Sequence, residues 1–295
     1  MASIPGRSLV ACYAPCGGAE GFGASMPRAQ IDDTLEMHYE LDDYTDPWTT
    51  PETILLVHGV ADTSKAWFAW VPRLARSFRL LRPDLRGFGQ SSLPPPGYPW
   101  SVAGLARDLK GLLDHLQIAA VHVVGQRVGG SVAMQFAHDY PAATRSLVVI
   151  GGPATLAGSC LDPGAWLEQV RREGVESWAR ATMGARLGEV SPAMREWWIR
   201  EMGKASGPVM EGIFRYVGTM DLTGILSHIQ APTLVITSDR GALASVETVR
   251  GWQTRIPDSR LLVLPSSAYH LAAALPEECA AATLRFIGSL PARPS

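Results

Sequence analysis

A chain of 295 residues with a formal net charge of -2 has no surplus of cations with which to hold nucleic acid or an acidic membrane, and its lysines and arginines are scattered. With 46% hydrophobic and 18% charged residues it can bury a large core, which excludes disorder throughout. The four cysteines, Cys12, Cys16, Cys160 and Cys279, are too few for a disulfide scaffold, and none joins a group with zinc-ligand spacing. A reducing cytoplasm is the expected compartment, and neither a metal nor another cofactor is expected.

Residues 1–30, rich in Gly, Ala, Ser and Pro, read as a flexible tail in which Met26 offers an alternative start. Its apolar patch, Leu9-Val10-Ala11, is shorter than the core of a signal peptide, and no stretch of the chain approaches a membrane span. Thr34 to Leu41 alternates as a strand does. Thr53-Ile54-Leu55-Leu56-Val57 is the unbroken apolar run of a strand buried on both faces. A helix is expected from Ser64 to Arg76, a strand at Arg79-Leu80-Leu81-Arg82, and a helix from Val102 to Leu116 with apolar residues at helical spacing.

The run Ala120-Val121-His122-Val123-Val124 then leads into Gly125-Gln126-Arg127-Val128-Gly129. This is the frame of the sharp strand-to-helix turn G-x-S-x-G, with arginine at the central position. Whatever the protein does, no serine at that corner forms an acyl ester. A helix from Val128 to Tyr140, a strand at Ser146 to Ile150, and strands at Thr233 to Ile236 and Leu261 to Leu264 complete the pattern. Strands alternating with helices imply a doubly wound, mainly parallel sheet. Between them, residues 153–230 carry no strand signal, only helical stretches with Trp166, Trp178, Met183, Trp197, Trp198, Met202 and Met210. The expected organisation is a core of residues 31–152 and 231–295, with residues 153–230 as a helical lid whose aromatics mostly pack inward and partly wall an apolar pocket.

Four motifs in order resemble the α/β-hydrolase superfamily, nearest to its 3-oxoadipate enol-lactonase-like and C–C hydrolase-like branch. They are His58-Gly59, Asp84-Leu85-Arg86-Gly87-Phe88-Gly89-Gln90-Ser91, the elbow glycines followed by Gly130, and Tyr269-His270. The resemblance runs from Thr34 to Leu290 and implies an eight-stranded sheet with the lid inserted after strand 6. It places the nucleophile on Arg127, the base on His270, and the acid near Gly241, where no carboxylate stands. Asp239, two residues earlier, is the carboxylate left to orient His270, and the other known place for the acid, Gly151-Gly152-Pro153, holds none. The oxyanion hole would use Gly59 and the N–H groups of Val60 and Val128. Asp84 and Arg86 are expected to pair with each other inside their loop.

Three readings of Arg127 stand side by side: a clamp for a carboxylate or enolate oxygen, a plug in a vacated site, or an outward-turned side chain. In the first, a fixed cation near His270 keeps the imidazole neutral and competent as a base. The expected function is then an enzyme acting on a small organic acid, ester, lactone or β-dicarbonyl by a non-serine mechanism, with His270 as general base and Arg127 as anion clamp. The substrate is an anionic small molecule with an apolar portion, with no nucleic-acid or membrane partner; a homodimer is compatible with this. The alternative is an inactive pseudoenzyme that binds a small ligand or regulates.

Overall fold

The computed structural model describes residues 27–156 and 162–291. The eight strands are β1 (Arg28–Asp32), β2 (Leu35–Asp42), β3 (Thr53–Val57), β4 (Arg79–Pro83), β5 (Val121–Gln126), β6 (Thr144–Ile150), β7 (Thr233–Ser238) and β8 (Ser259–Leu264). They form one sheet in the order β1-β2-β4-β3-β5-β6-β7-β8. β1 and β2 are antiparallel to their neighbours, and all pairs from β4 to β8 are parallel. This is the expected α/β-hydrolase architecture. β3 and β5 lie at its centre and are buried along their whole length, as their continuous apolar runs require.

The helices are α1 (Val71–Leu74), α2 (Val102–His115), α3 (Val128–Asp139), α4 (Pro163–Glu173), α5 (Val175–Leu187), α6 (Pro192–Gly203), α7 (Gly207–Val217), α8 (Val246–Gln253), α9 (Leu271–Ala274) and α10 (Pro276–Gly288). Helices α4 to α7 fill the interval between β6 and β7, where residues 153–230 were expected to be helical. The two ends of this insertion are tied together by an antiparallel bridge between Thr155 and Asp221 and by the Leu222 N–H donating to the Ala154 carbonyl at 2.8 Å. Most of its aromatics pack inward: Trp178 and Trp198 are fully buried, Trp178 meets Trp166 and Phe214 edge to face, and Trp166 and Phe214 are tilted against each other.

Several expectations need correction. Residues 28–30, assigned to the tail, belong to β1, while residues 1–26 lie outside the described residues, as do Cys12, Cys16 and Cys160. The single helix expected from Ser64 to Arg76 is a 3₁₀ turn, Ser64–Trp67, followed by the one-turn α1. Pro72 lacks an N–H and its ring collides with a helical carbonyl four residues back, so one helix cannot run through it.

Asp84 and Arg86 do not pair with each other. Arg86 holds Asp108 of α2 by two hydrogen bonds of 2.8 Å and also reaches Asp32, which locks α2 and β1 to the β4 loop. Asp84 accepts from the His38 ring at 2.9 Å and from the N–H groups of Ser64 and Gln90. Burial alone would raise its pKa, but these donors and the nearby His58 bring it down to about 2.

Candidate functional site

The turn between β5 and α3 places Arg127 at φ 54° and ψ -126°, a backbone conformation that a residue with a Cβ adopts only under strain. Its N–H donates to the Ile150 carbonyl at 2.9 Å and its carbonyl accepts from the Gly130 N–H at 2.9 Å, which fixes the corner on both sides. The glycines are required by contact. A Cβ on Gly125 would collide with the Gly129 carbonyl, and one on Gly129 with the carbonyls of Val57 and His58. The corner is therefore pressed against the end of β3, and a Cβ added to Gly59 would stand 3.4 Å from the Cβ of Arg127.

His270 follows β8 and caps the short α9. Its N–H donates to the Arg186 carbonyl at 2.9 Å, so the helical insertion holds the loop that carries it. The imidazole is fully buried, with the Trp198 ring against it at a centroid distance of 4.7 Å. Neither ring nitrogen has a hydrogen-bond partner. Its Nε2 lies 3.6 Å from Oδ2 of Asp62, whose side chain is also completely buried.

Asp62 stands in the segment after β3, its N–H donating to the Gly59 carbonyl at 3.2 Å. That turn folds the carboxyl back over Gly59, so close that a Cβ there would stand 2.9 Å from Oδ2 and displace it. Gln126 approaches the same oxygen at 3.5 Å, while Oδ1 of Asp62 has no partner.

Two guanidiniums complete the site. Arg127 is 7% exposed, with its Nη1 buried and unpartnered, and its guanidinium lies 5.4 Å from the centre of the Tyr269 ring. Arg186, from α5, is fully buried. It stacks on Trp178 at 4.4 Å, approaches Tyr269 at 5.7 Å, and spends its Nε on the Thr182 hydroxyl at 2.8 Å. Both of its Nη atoms lack a partner.

The charges act on one another as burial dictates. His270 is held well below the ordinary imidazole range, first by desolvation and then by the charges of Arg127 and Arg186. Asp62 is raised by desolvation, against the pull of Arg127, His58 and Arg186. Arg186 itself falls to about 10, through burial and repulsion by Arg127. His58, by contrast, is satisfied: its Nδ1 faces the Gly59 carbonyl at 2.7 Å and its Nε2 accepts from the Leu85 N–H at 2.9 Å, so it holds two loops together.

Arg127, His270 and Gly59 thus come to one place with Val128, whose N–H, at the first position of α3, has no intrahelical acceptor, and with Val60 in the adjoining loop. Asp239 does not join them. Its side chain is 42% exposed and its carboxylate accepts from the Ser266 N–H at 2.8 Å and from Arg240 at 3.3 Å, so it braces the β7 and β8 loops and does not orient His270. At Gly241 a Cβ would collide with the Ser238 hydroxyl, which is engaged with the Ala268 carbonyl at 2.8 Å. Ser131 donates to the Pro153 carbonyl at 2.6 Å and is a packing residue.

The alpha/beta hydrolase fold family model matches residues 52–274. The chain belongs to the α/β-hydrolase fold family. An uncharacterised protein of Mycobacterium tuberculosis is 42% identical over 97 residues, which are 33% of this chain and 28% of that one, so the chain spans little more than a quarter of its length. A poly(3-hydroxyalkanoate) depolymerase of Ectopseudomonas oleovorans is 28% identical over 233 residues, 74% of this chain and 77% of that protein. The solved enol-lactonase of Burkholderia xenovorans LB400 superposes with a TM-score of 0.82 at 21% identity, over 89% of this chain and 100% of that one, a likeness of fold.

Asp62 and Arg186 were not singled out from sequence, and Trp198 was read only as one of the aromatics of residues 153–230. The first two carry a signal: Asp62 is an acid directly after the apolar segment that follows His58-Gly59, and Arg186 falls on the stripe of α5 shared by Trp178, Ala179 and Met183. A charge on a buried stripe marks a functional group or a paired one. Among the described residues, no group of three His, Cys, Asp or Glu side chains is arranged to hold a metal ion, and no helix is long and apolar enough to cross a membrane.

Proposed function

We propose that this protein is an α/β-hydrolase-fold enzyme without a serine nucleophile, in which Arg127 occupies the nucleophile's place and binds an anionic group while His270 acts as general base. The substrate class is a small organic acid, or an ester, lactone or β-dicarbonyl with an anionic portion. The observation that carries the reading is the set of buried guanidinium nitrogens without partners, Nη1 of Arg127 and both Nη of Arg186, around a base whose ring nitrogens are also free. A buried unpaired cation costs several kcal/mol, and a bound carboxylate removes that cost with two charge-assisted hydrogen bonds. The depressed pKa of His270 keeps the ring unprotonated at neutral pH, the state a base needs.

The test is a thermal-shift screen of the purified protein against small mono- and dicarboxylates. Arg127→Met should abolish the stabilisation that the best of them produces, and His270→Ala should retain it while losing turnover. The complete burial of His270 favours a second reading, a binding pseudoenzyme whose Arg127 fills the old site. In that case the native activity or phenotype survives His270→Ala.

A further inference from the structure

The pair formed by Asp62 and His270 belongs to neither the elbow nor the place of a triad acid. We propose that Asp62 is a second catalytic residue, a carboxyl that hydrogen-bonds the carbonyl oxygen of an enolisable substrate while His270 takes the proton from the adjacent carbon. The proposal rests on the reading of His270 as a base and adds to it the class of reaction, proton transfer next to a carbonyl.

Four observations support it. Oδ2 of Asp62 and Nε2 of His270 lie 3.6 Å apart, too far for a hydrogen bond but close enough to touch neighbouring atoms of one ligand group. Oδ1 of Asp62 and both ring nitrogens of His270 are buried without partners. The carboxyl lies over Gly59, beside Val60, whose N–H the family resemblance assigns to an oxyanion hole, so it stands near where negative charge would develop on oxygen. Asp62 also forms part of the wall of a pocket of about 190 Å³, with Lys65, Phe88, Glu201 and Lys204, and His270 stands 3.6 Å behind it, outside the lining. A water takes about 30 Å³ of liquid volume, so a molecule of a few non-hydrogen atoms fits there.

The electrostatics point the same way: burial raises Asp62 against the pull of Arg127, His58 and Arg186, and lowers His270, so each is shifted toward its neutral form. Environments that push two neighbouring groups apart in this sense assign one as acid and the other as base. In the forward step the C–H electron pair becomes the C=C bond, the carbonyl π pair takes the Asp62 proton, and the carbon's proton moves to Nε2. The products are an enol, an imidazolium and a carboxylate. Reversal at another carbon isomerises the substrate. If the imidazolium proton first exchanges through Asp62 with water in the pocket, reversal at the same carbon replaces hydrogen by deuterium.

The experiment follows deuterium uptake from D2O next to the carbonyl of pyruvate, 2-oxobutyrate and 4-oxopentanoate by proton NMR. The protein should exchange at least one of them faster than buffer does, Asp62→Asn should be about tenfold slower, and Asp62→Leu, which has no donor, about a hundredfold slower. Asn keeps an N–H donor but no transferable proton, so it reports even where the Leu variant does not fold. Wild-type rates in both Asp62 variants, alongside a loss in His270→Ala, overturn the Asp62 assignment and leave the base standing. An unaffected His270→Ala overturns both, and a wild-type protein no faster than buffer overturns the proton-transfer proposal, while the carboxylate thermal shift reports separately on the clamp.

Discussion

Asp62 and His270, both fully buried, face each other at 3.6 Å in a site where Nη1 of Arg127 and both Nη atoms of Arg186 lack partners. The pair puts a carboxyl on the side of the imidazole where a triad enzyme has its nucleophile. Much of the expected behaviour of the protein follows from that inversion.

Stability should fall as pH drops below about 6.5. The unfolded chain protonates His270 there, whereas the folded protein holds it neutral, so the unfolded state binds more protons and gains on acidification. His58 is also lowered by burial and adds with the same sign, while the raised Asp62 acts oppositely, losing stability as pH rises through its folded pKa. Comparing urea denaturation of the wild type and His270→Gln isolates the His270 share: the slope between pH 6.5 and about pH 5 should be shallower in the variant. Equal slopes contradict the assignment.

Arg127→Gly should stabilise the unliganded protein. It removes a non-glycine residue from φ 54°, a strain of about 1–3 kcal/mol, together with a buried cation. Carboxylate binding should be lost at the same time, the trade expected where strain serves a site. The urea midpoint and the ligand-induced shift check both halves.

Arg186→Met should likewise raise unliganded stability, by about 1–4 kcal/mol, because an apolar side chain of similar reach replaces a buried ion whose two Nη atoms have no hydrogen-bond partner. A destabilised variant would mean that its contacts with Trp178 and Thr182 outweigh the desolvation.

Arg127→Ser should not create an esterase. Mixing the variant with p-nitrophenyl acetate should give no acyl-enzyme burst, since no carboxylate orients His270 and Asp62 lies over Gly59. A burst, or an acylated Ser at position 127 by mass spectrometry, would show that the base and hole are intact.

Gly129→Ala should cost about 2–3 kcal/mol, because its Cβ would press on backbone carbonyls at the end of β3 that cannot rotate away. Gly97→Ala is the control: a Cβ there meets nothing, and only its positive φ opposes the change.

The fold was legible where one signal dominates. The runs at 53–57 and 121–124 can only be buried strands, and the glycines around Arg127 can only be a turn pressed on its neighbours. β1 escaped because Ala29 alone of its five residues is fully buried, so its apolar alternation is faint. His270 and Arg127 could be read because motif order places them. Asp239 was misassigned because a strand end does not say which way the next side chain turns; its N–H continues the pairing to Leu264 and its carboxylate caps the Ser266 N–H. Asp62 and Arg186 depend on loops and a helix that meet only in three dimensions, and no spacing in the sequence joins them.

The bridge between Thr155 and Asp221 makes the segment carrying α4 to α7 a cassette clipped at its base. Such a cassette can be exchanged without altering the strand register, because both its ends stay at the same edge of the sheet. Yet it delivers Arg186 and Trp198 to the candidate site, whereas Asp62, Arg127 and His270 come from the segments that follow β3, β5 and β8. Recombination of this one segment would replace Arg186 and Trp198 and, with Arg186, the backbone hydrogen bond that holds the His270 loop, so the charge lining the candidate site and the posture of His270 are inherited together.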